Sequence, residues 1–271
     1  DILEITVLKD AAAAAIWGSK GANGVLEIRT KRGGAGPTKV DYTYRFTGTV
    51  QPKGIHMLSG GDFTMLMKQS YFNPLQDELA NDIDEYNYDP NFSEYHNFNN
   101  NTDWVNEVTQ IGSISDHYLT LSGGGERANF RVSGGYYSQK GTVIGQKLNR
   151  ISSRAYLEYN VSDRIKFITE FSLTNTVNDR NYLDNNHTNL GHKSILSMAY
   201  AKMPNVSVYA ENDDETSTGV YYNIPTTSRL NGEQKYLWNP VALANLAINR
   251  LETFRILPTF RLQYDLLDPA K

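Results

Sequence analysis

Apolar and polar residues alternate with a period of two in six stretches of the chain, the pattern of β-strands with one apolar and one polar face. In Val40 to Val50, the positions Val40, Tyr42, Tyr44, Phe46, Gly48 and Val50 oppose Asp41, Thr43, Arg45, Thr47 and Thr49. The same alternation runs through Ala128 to Tyr137, Ile151 to Val161, Ile165 to Thr174 and Thr253 to Leu266, with a weaker copy at His117, Leu119 and Leu121. Unbroken alternation over Val40 to Val50 matches a tilted membrane-spanning strand, about 9 to 11 residues, better than a globular strand of about five or six.

Charge separates the two faces. Arg45, Arg131, Arg154, Glu158, Lys166, Glu170, Arg255 and Arg261 all fall on polar positions, and a charge facing lipid near the bilayer midplane costs roughly 2 to 4 kcal/mol. A soluble sandwich with one wet face carries the same alternation, so connection lengths have to separate the two folds. The links are long at Gln51 to Ser113, short at Gly123 to Arg127, medium at Gln139 to Leu148, short at Asn160 to Arg164 and long at Asn175 to Glu252. An up-and-down barrel with tight turns at one end and extended loops at the other has this rhythm. The expectation is a mainly β, antiparallel transmembrane barrel wall. Tyr42, Tyr44, Phe46, Phe130, Leu157, Phe167, Phe171, Phe260 and Leu262 should face outward, and Arg45, Arg131, Arg154, Glu158, Glu170 and Arg261 inward. Within the long loops, helical spacing predicts helices over Asp62 to Ser70 and Ser194 to Lys202, the latter stopped by Pro204. The Asn-, Asp-, Tyr- and Glu-rich stretches Asp77 to Asn101 and Ala210 to Tyr222 read as exposed loop.

The N-terminal stretch Ile5 to Arg32, ITVLKDAAAAAIWGSKGANGVLEIRTKR, has a different character. Asp10 can cap a short helix of Ala11 to Ala15, Gly18 can end it in a left-handed conformation, and Gly21 and Gly24 permit the turns back into a strand. A phosphate-binding loop has the opposite order, glycines first and helix after. Gly33-Gly34-Ala35-Gly36-Pro37 marks a boundary. No signal peptide precedes these residues, and the chain reads as a piece of something longer.

Taken together, Val7 to Asp10, the alanine run with Ala13, Trp17, Gly18-Ser19, Gly21 and Asn23-Gly24 resemble the closing segment of the plug domain in SusC/RagA-like TonB-dependent outer-membrane transporters. Thr102-Asp103-Trp104, Asp116 to Gly124, Gln139-Lys140-Gly141, Asn149 to Ser152 and Trp238-Asn239-Pro240-Val241-Ala242 resemble the same family in the same order. The resemblance implies that residues 1–36 are the C-terminal end of an α/β plug. It makes 37–271 the first part of a barrel, about six strands of about 22, with extracellular loops over about 51–113 and 175–252. It implies import of oligosaccharides or peptides across the cell outer membrane, among outer-membrane lipid, with a SusD-like surface lipoprotein over the mouth. TonB, with ExbB and ExbD, would act through segments outside this sequence. Asp10, Ala13, Gly18, Ser19, Gly21, Asn23 and Gly24 would carry the plug motif.

Composition narrows the chemistry. With 26 basic and 30 acidic residues the net charge of −4 leaves no electrostatic footprint for nucleic acid. The absence of cysteine removes thiol chemistry. A mean hydropathy of −0.51 says little, because barrel strands average apolar with polar positions. The carboxylates Asp77-Glu78, Asp82-Asp84-Glu85 and Asp213-Asp214-Glu215 read as solvated loop. The five histidines lack any zinc spacing, and neither a cofactor motif nor a catalytic constellation appears. Loop aromatics remain as candidate substrate contacts: Tyr86, Tyr88, Trp104, Tyr221, Tyr222 and Trp238, with Tyr95 beside them. Trp104 and Trp238 could equally anchor loop folds. The competing reading is a non-transporting glycan-binding β protein of the cell surface, which has no use for a plug-like N-terminus.

Overall fold

The computed structural model describes residues 2–10, 15–21, 23–75, 83–181, 194–230 and 232–266. A hairpin of β1 (Ile2–Leu8) and β2 (Val25–Thr30) stands as its own two-stranded sheet. The wall follows: β3 (Gly36–Thr49), β4 (Gly112–Gly124), β5 (Ala128–Lys140), β6 (Lys147–Ser162), β7 (Ile165–Asp179) and, after a small hairpin of β8 (Tyr209–Glu211) and β9 (Ser217–Tyr221), β10 (Arg250–Tyr264). Six of these form one antiparallel sheet in the order β10–β7–β6–β5–β4–β3. Each wall strand pairs with its neighbour in sequence, the up-and-down meander that the alternating link lengths predict. The strands run 13 to 16 residues, longer than the about 9 to 11 that cross a bilayer. Among the described residues no helix is long and apolar enough to do so.

Register sorts the side chains onto two faces. Val40, Leu121, Val132, Ala155, Phe171 and Pro258 form one cross-strand row, and Tyr42, Leu119, Gly134, Ser153, Leu173 and Ile256 the next on the same face. Tyr44, Phe46, Phe130, Leu157, Phe167, Phe260 and Leu262 fall on that face too. Opposite lie the rows Lys39, Ser122, Arg131, Tyr156, Glu170, Thr259 and Asn129, Glu158, Ile168, Arg261, with Arg45 and Arg154 on the same side. Among the described residues no second sheet covers the apolar face: Tyr42 and Phe46 are each 62% exposed, Phe260 72% and Leu262 70%. A sandwich would bury that face; a barrel wall gives it to lipid.

The hydrophobic core lies elsewhere, in the connections. It gathers Tyr86, Phe98, Trp104, Val108, Ile195, Met198, Met203, Val206, Tyr222, Leu237 and Val241, among others. Around it, α1 (Gly60–Leu75) packs Phe63 and Met67 against it, α2 (Tyr95–Phe98), α3 (Trp104–Val108) and α4 (Ile195–Ala201) contribute to it directly, α5 (Gly232–Lys235) lies between its members Leu230 and Leu237, and α6 (Pro240–Leu246) adds Val241 and Ala244. Two of the helices answer the sequence spacing directly. At the start of α1, Ser59 Oγ donates to Asp62 Oδ2 at 2.7 Å and accepts from Asp62 N at 3.1 Å, a reciprocal cap. Ser194 Oγ accepts from Ser197 N at the start of α4. The two long loops therefore fold together into one module over the long-connection end of the wall.

Candidate functional site

The charged face of the wall is where the N-terminal hairpin rests. Arg154 Nη2 donates to Thr30 Oγ1 at 2.9 Å, at the last residue of the hairpin's second strand, and lies 2.8 Å from Glu170 Oε2. The Arg32 guanidinium sits 5.6 Å from the centre of the Tyr156 ring. Tyr156 Oη donates to Glu158 Oε2 at 2.5 Å, and Lys166 Nζ meets Glu158 Oε1 at 3.0 Å. Gly33, in the linker, lies against β5 so closely that a Cβ would stand 2.2 Å from the Phe130 carbonyl oxygen; only glycine permits that approach. Inside and outside are thereby distinguished: the face holding the hairpin is the lumen, and the apolar face is the outer surface.

Within the hairpin, the helix expected over Ala11 to Ala15, Ala13 included, lies outside the described residues but for Ala15. From Ala15 to Gly21 the chain forms a 3-10 turn broken at Gly18. Gly18 has φ 61° and ψ −150°, an extended mirror-image conformation open almost only to glycine, and not the left-handed cap that the sequence suggested. Gly24 has φ 93° and donates to the Gly21 carbonyl at 2.9 Å, closing the turn into β2. Gly21 is buried; Asp10, Ser19 and Asn23 are exposed.

The loop module redistributes the aromatics chosen from sequence. Tyr86 and Trp104 are each 2% exposed and Tyr222 6%. Trp104 Nε1 donates to the Met203 carbonyl at 2.8 Å, and Tyr222 Oη donates to Glu94 Oε2 at 3.0 Å. Burial, with Glu94 beside it, pushes the Tyr222 phenol well above its usual range. These rings pack in the module's core. Tyr221 is half-buried and stacked on Tyr209 at 5.0 Å. Tyr88, 43% exposed with Lys68 over its ring, and Trp238, 54% exposed, keep a free face. Glu85 also departs from expectation. It is buried and accepts from Ser228 Oγ, whereas Asp213 sits in an exposed turn.

A cavity of about 450 Å³ opens in the module between the strap at 53–59, residues 101–105 and the end of α4. Lys53, His56, Asp103, Trp104, Tyr200 and Lys202 are among its lining residues. Lys202 is 2% exposed and donates to the Leu237 carbonyl at 2.7 Å; burial pulls its ammonium down to about 7. Sequence reasoning missed this cation, because nothing in its neighbours distinguishes it from a solvated lysine. The strap residues Ile55, Met57 and Leu58, 81%, 42% and 47% exposed, are an apolar surface without a covering element among the described residues.

Comparison with known proteins follows the same lines. No family model matches the chain. It is 30% identical over 244 residues to the TonB-dependent receptor SusC of Bacteroides thetaiotaomicron, covering 89% of this chain and 22% of that protein. It is 26% identical over 268 residues to the TonB-dependent receptor P3 of Formosa agariphila, covering 99% and 23%. A structure of the RagAB peptide transporter aligns with TM-score 0.54 at 25% identity, over 66% of this chain and 22% of that one. The chain belongs to the SusC/RagA-like TonB-dependent receptors. It spans between a fifth and a quarter of the length of these relatives. The six-stranded wall has β3 and β10 at its edges. The RagAB peptide importer in its closed-closed state shares the fold, with TM-score 0.63 at 19% identity.

Proposed function

We propose that this SusC/RagA-like chain supplies the end of the plug and the first six wall strands of a TonB-driven importer in the outer membrane. The cargo class is oligosaccharides or peptides, and a SusD-like lipoprotein closes over the loop module. The observation that carries the reading is the hairpin held by Arg154 on the charged, inner face of the wall. A hairpin in that position obstructs a lumen, and an obstructed lumen passes large solutes only when something moves the obstruction. TonB, with ExbB and ExbD, supplies that work from the energised inner membrane. The names of the relatives, TonB-dependent receptors and a peptide importer, support the same reading. Tyr88 and Trp238 are the aromatics with rings free to meet cargo, and the strap at Ile55, Met57 and Leu58 is an apolar surface that a lipoprotein lid could cover.

The test is growth of a strain deleted for the full-length receptor gene, complemented or not, on oligosaccharide or on peptide as sole nutrient. Complementation should restore growth on one of the two and fail when TonB is inactivated. Growth that ignores either the receptor or TonB would overturn the proposal.

A further inference from the structure

Towards the long-connection end, the outward face of the wall changes character row by row. Tyr44, His117, Tyr136, Ile151, Asn175 and Phe254 form an aromatic-rich row, with Tyr44 and His117 rings 4.6 Å apart. Aromatics at this position mark a bilayer interface. Two residues further along stand Phe46, Ser115, Ser138, Asn149, Val177 and Glu252, and two further again Gly48, Ser113, Lys140, Lys147, Asp179 and Arg250. At about 3.4 Å per residue and a strand tilt of about 40°, this last row stands about 10 Å beyond the aromatic one along the membrane normal. That is headgroup depth.

Lys140 and Lys147 are direct partners across the β5–β6 hairpin, and like charges facing each other destabilise a sheet unless an anion lies between them. Among the described residues neither lysine forms an ion pair. The neighbouring Asp179 is engaged by Arg250, Nε to Oδ1 at 2.5 Å and Nη2 to Oδ2 at 3.2 Å. These side chains line a groove of about 670 Å³ beneath the connection that leads into β10. Arg180 adds another positive charge to its lining, and Ile248, 90% exposed, an apolar lip. Four cations, Lys140, Lys147, Arg180 and Arg250, thus line the groove around the single carboxylate of Asp179, with Glu252 one row below at the far edge.

We propose that Lys140 and Lys147, with Arg180, clasp the phosphate-bearing headgroup of an outer-leaflet lipid on the outside of the barrel. The site faces away from the lumen, because the plug-like hairpin occupies the opposite face. It lies at the extracellular end, because the long connections do. The occupant is therefore a membrane lipid and not transported cargo, and a cationic groove with an apolar lip suits a phosphorylated glycolipid.

The experiment uses the full-length receptor, purified in detergent and stripped of lipid, with binding read by native mass spectrometry. The probes are phosphorylated lipid A and the same lipid A with its phosphates removed. The wild type should prefer the phosphorylated form, and Lys140→Gln/Lys147→Gln should lose roughly 30-fold in affinity for it. Lys140→Arg/Lys147→Arg should keep the preference, and unboiled gel mobility verifies that each variant is folded. Equal binding of the two lipids by wild type overturns the proposal without recourse to any variant. So does undiminished binding by the Gln variant. Displacement of the lipid by inorganic phosphate would make the groove a free-anion site, which also overturns it.

Discussion

Asn239 has no exposed surface, and its amide makes four hydrogen bonds. Oδ1 accepts from Val241 N at 3.0 Å and Ala242 N at 3.1 Å, capping α6, while Nδ2 donates to the carbonyls of Val208 at 2.8 Å and Tyr222 at 3.0 Å. Asn239→Ala should therefore lose a helix cap and both donations to backbone carbonyls, of which Val208's keeps the Tyr222 N–H at 3.0 Å, at a cost of about 2 to 4 kcal/mol to the loop module. Limited proteolysis of the folded receptor checks this, with faster cleavage in the two long loops as the expected result. Asn239→Asp, which keeps the cap and loses both donations, should fall between. Lys202 gives the module a pH dependence of opposite sign to that of an ion-paired lysine. Its folded value of about 7 lies below the unfolded value of about 10.4, so between them the unfolded chain binds the extra proton and stability rises with pH. Above about 10 the raised Tyr222 phenol reverses the trend, since the unfolded phenol ionises first. Protease resistance should thus climb from pH 7 to about 10. Lys202→Met should flatten that climb; a climb of unchanged steepness would show that another group drives it.

At the scale of elements, the wall strands were legible because a single rule, apolar out and charged in, governs five of them for ten residues or more and β4 more briefly, at His117, Leu119 and Leu121. The module was not legible in the same way. Its core is assembled from helices of four to seven residues together with one face of α1, too short to set up a 3.6-residue period. Tyr86 and Tyr222 lie in polar, acid-rich stretches that read as solvent-facing. An aromatic in such a stretch gives the same signal whether it packs or binds, and here tertiary contacts between the two long loops decide. Trp104 differs in that Asp103 caps α3 by accepting from Asn106 N at 3.0 Å, so its segment carried a local structural cue. The face assignment predicts an asymmetry between neighbouring positions on β7. Phe171→Arg places a charge in lipid near mid-strand and should cost about 2 to 4 kcal/mol. Thr174→Arg points into the lumen and should be tolerated. Denaturant titration of the receptor in bilayers measures both, and equal losses would mean that the wall has been read with its faces mixed.

For the whole molecule, the proposed plug role asks the wall to hold the hairpin and still release it, which needs contacts that are specific and individually weak. Among the described residues, the hairpin and the linker after it meet the wall through an arginine hydrogen bond to Thr30, the Arg32 cation over an aromatic ring and Gly33 in close approach. Arg154 is also held by Glu170, so its guanidinium is aimed before the hairpin arrives. Partly exposed polar contacts of this kind contribute little each, which suits an element that has to come away under load. Thr30→Val removes only the acceptor on the hairpin, whereas Arg154→Gln removes the donor and frees Glu170 as well. Both should loosen the plug in the full-length receptor, with Arg154→Gln the stronger. The sensitive readout is leakage: cells expressing either variant should become more susceptible to an antibiotic too large for ordinary porins, at unchanged levels of folded barrel. Since the two residues share one bond, the double variant should leak no more than Arg154→Gln alone. Susceptibility that stays at the wild-type level in both single variants would show that this contact does not restrain the plug.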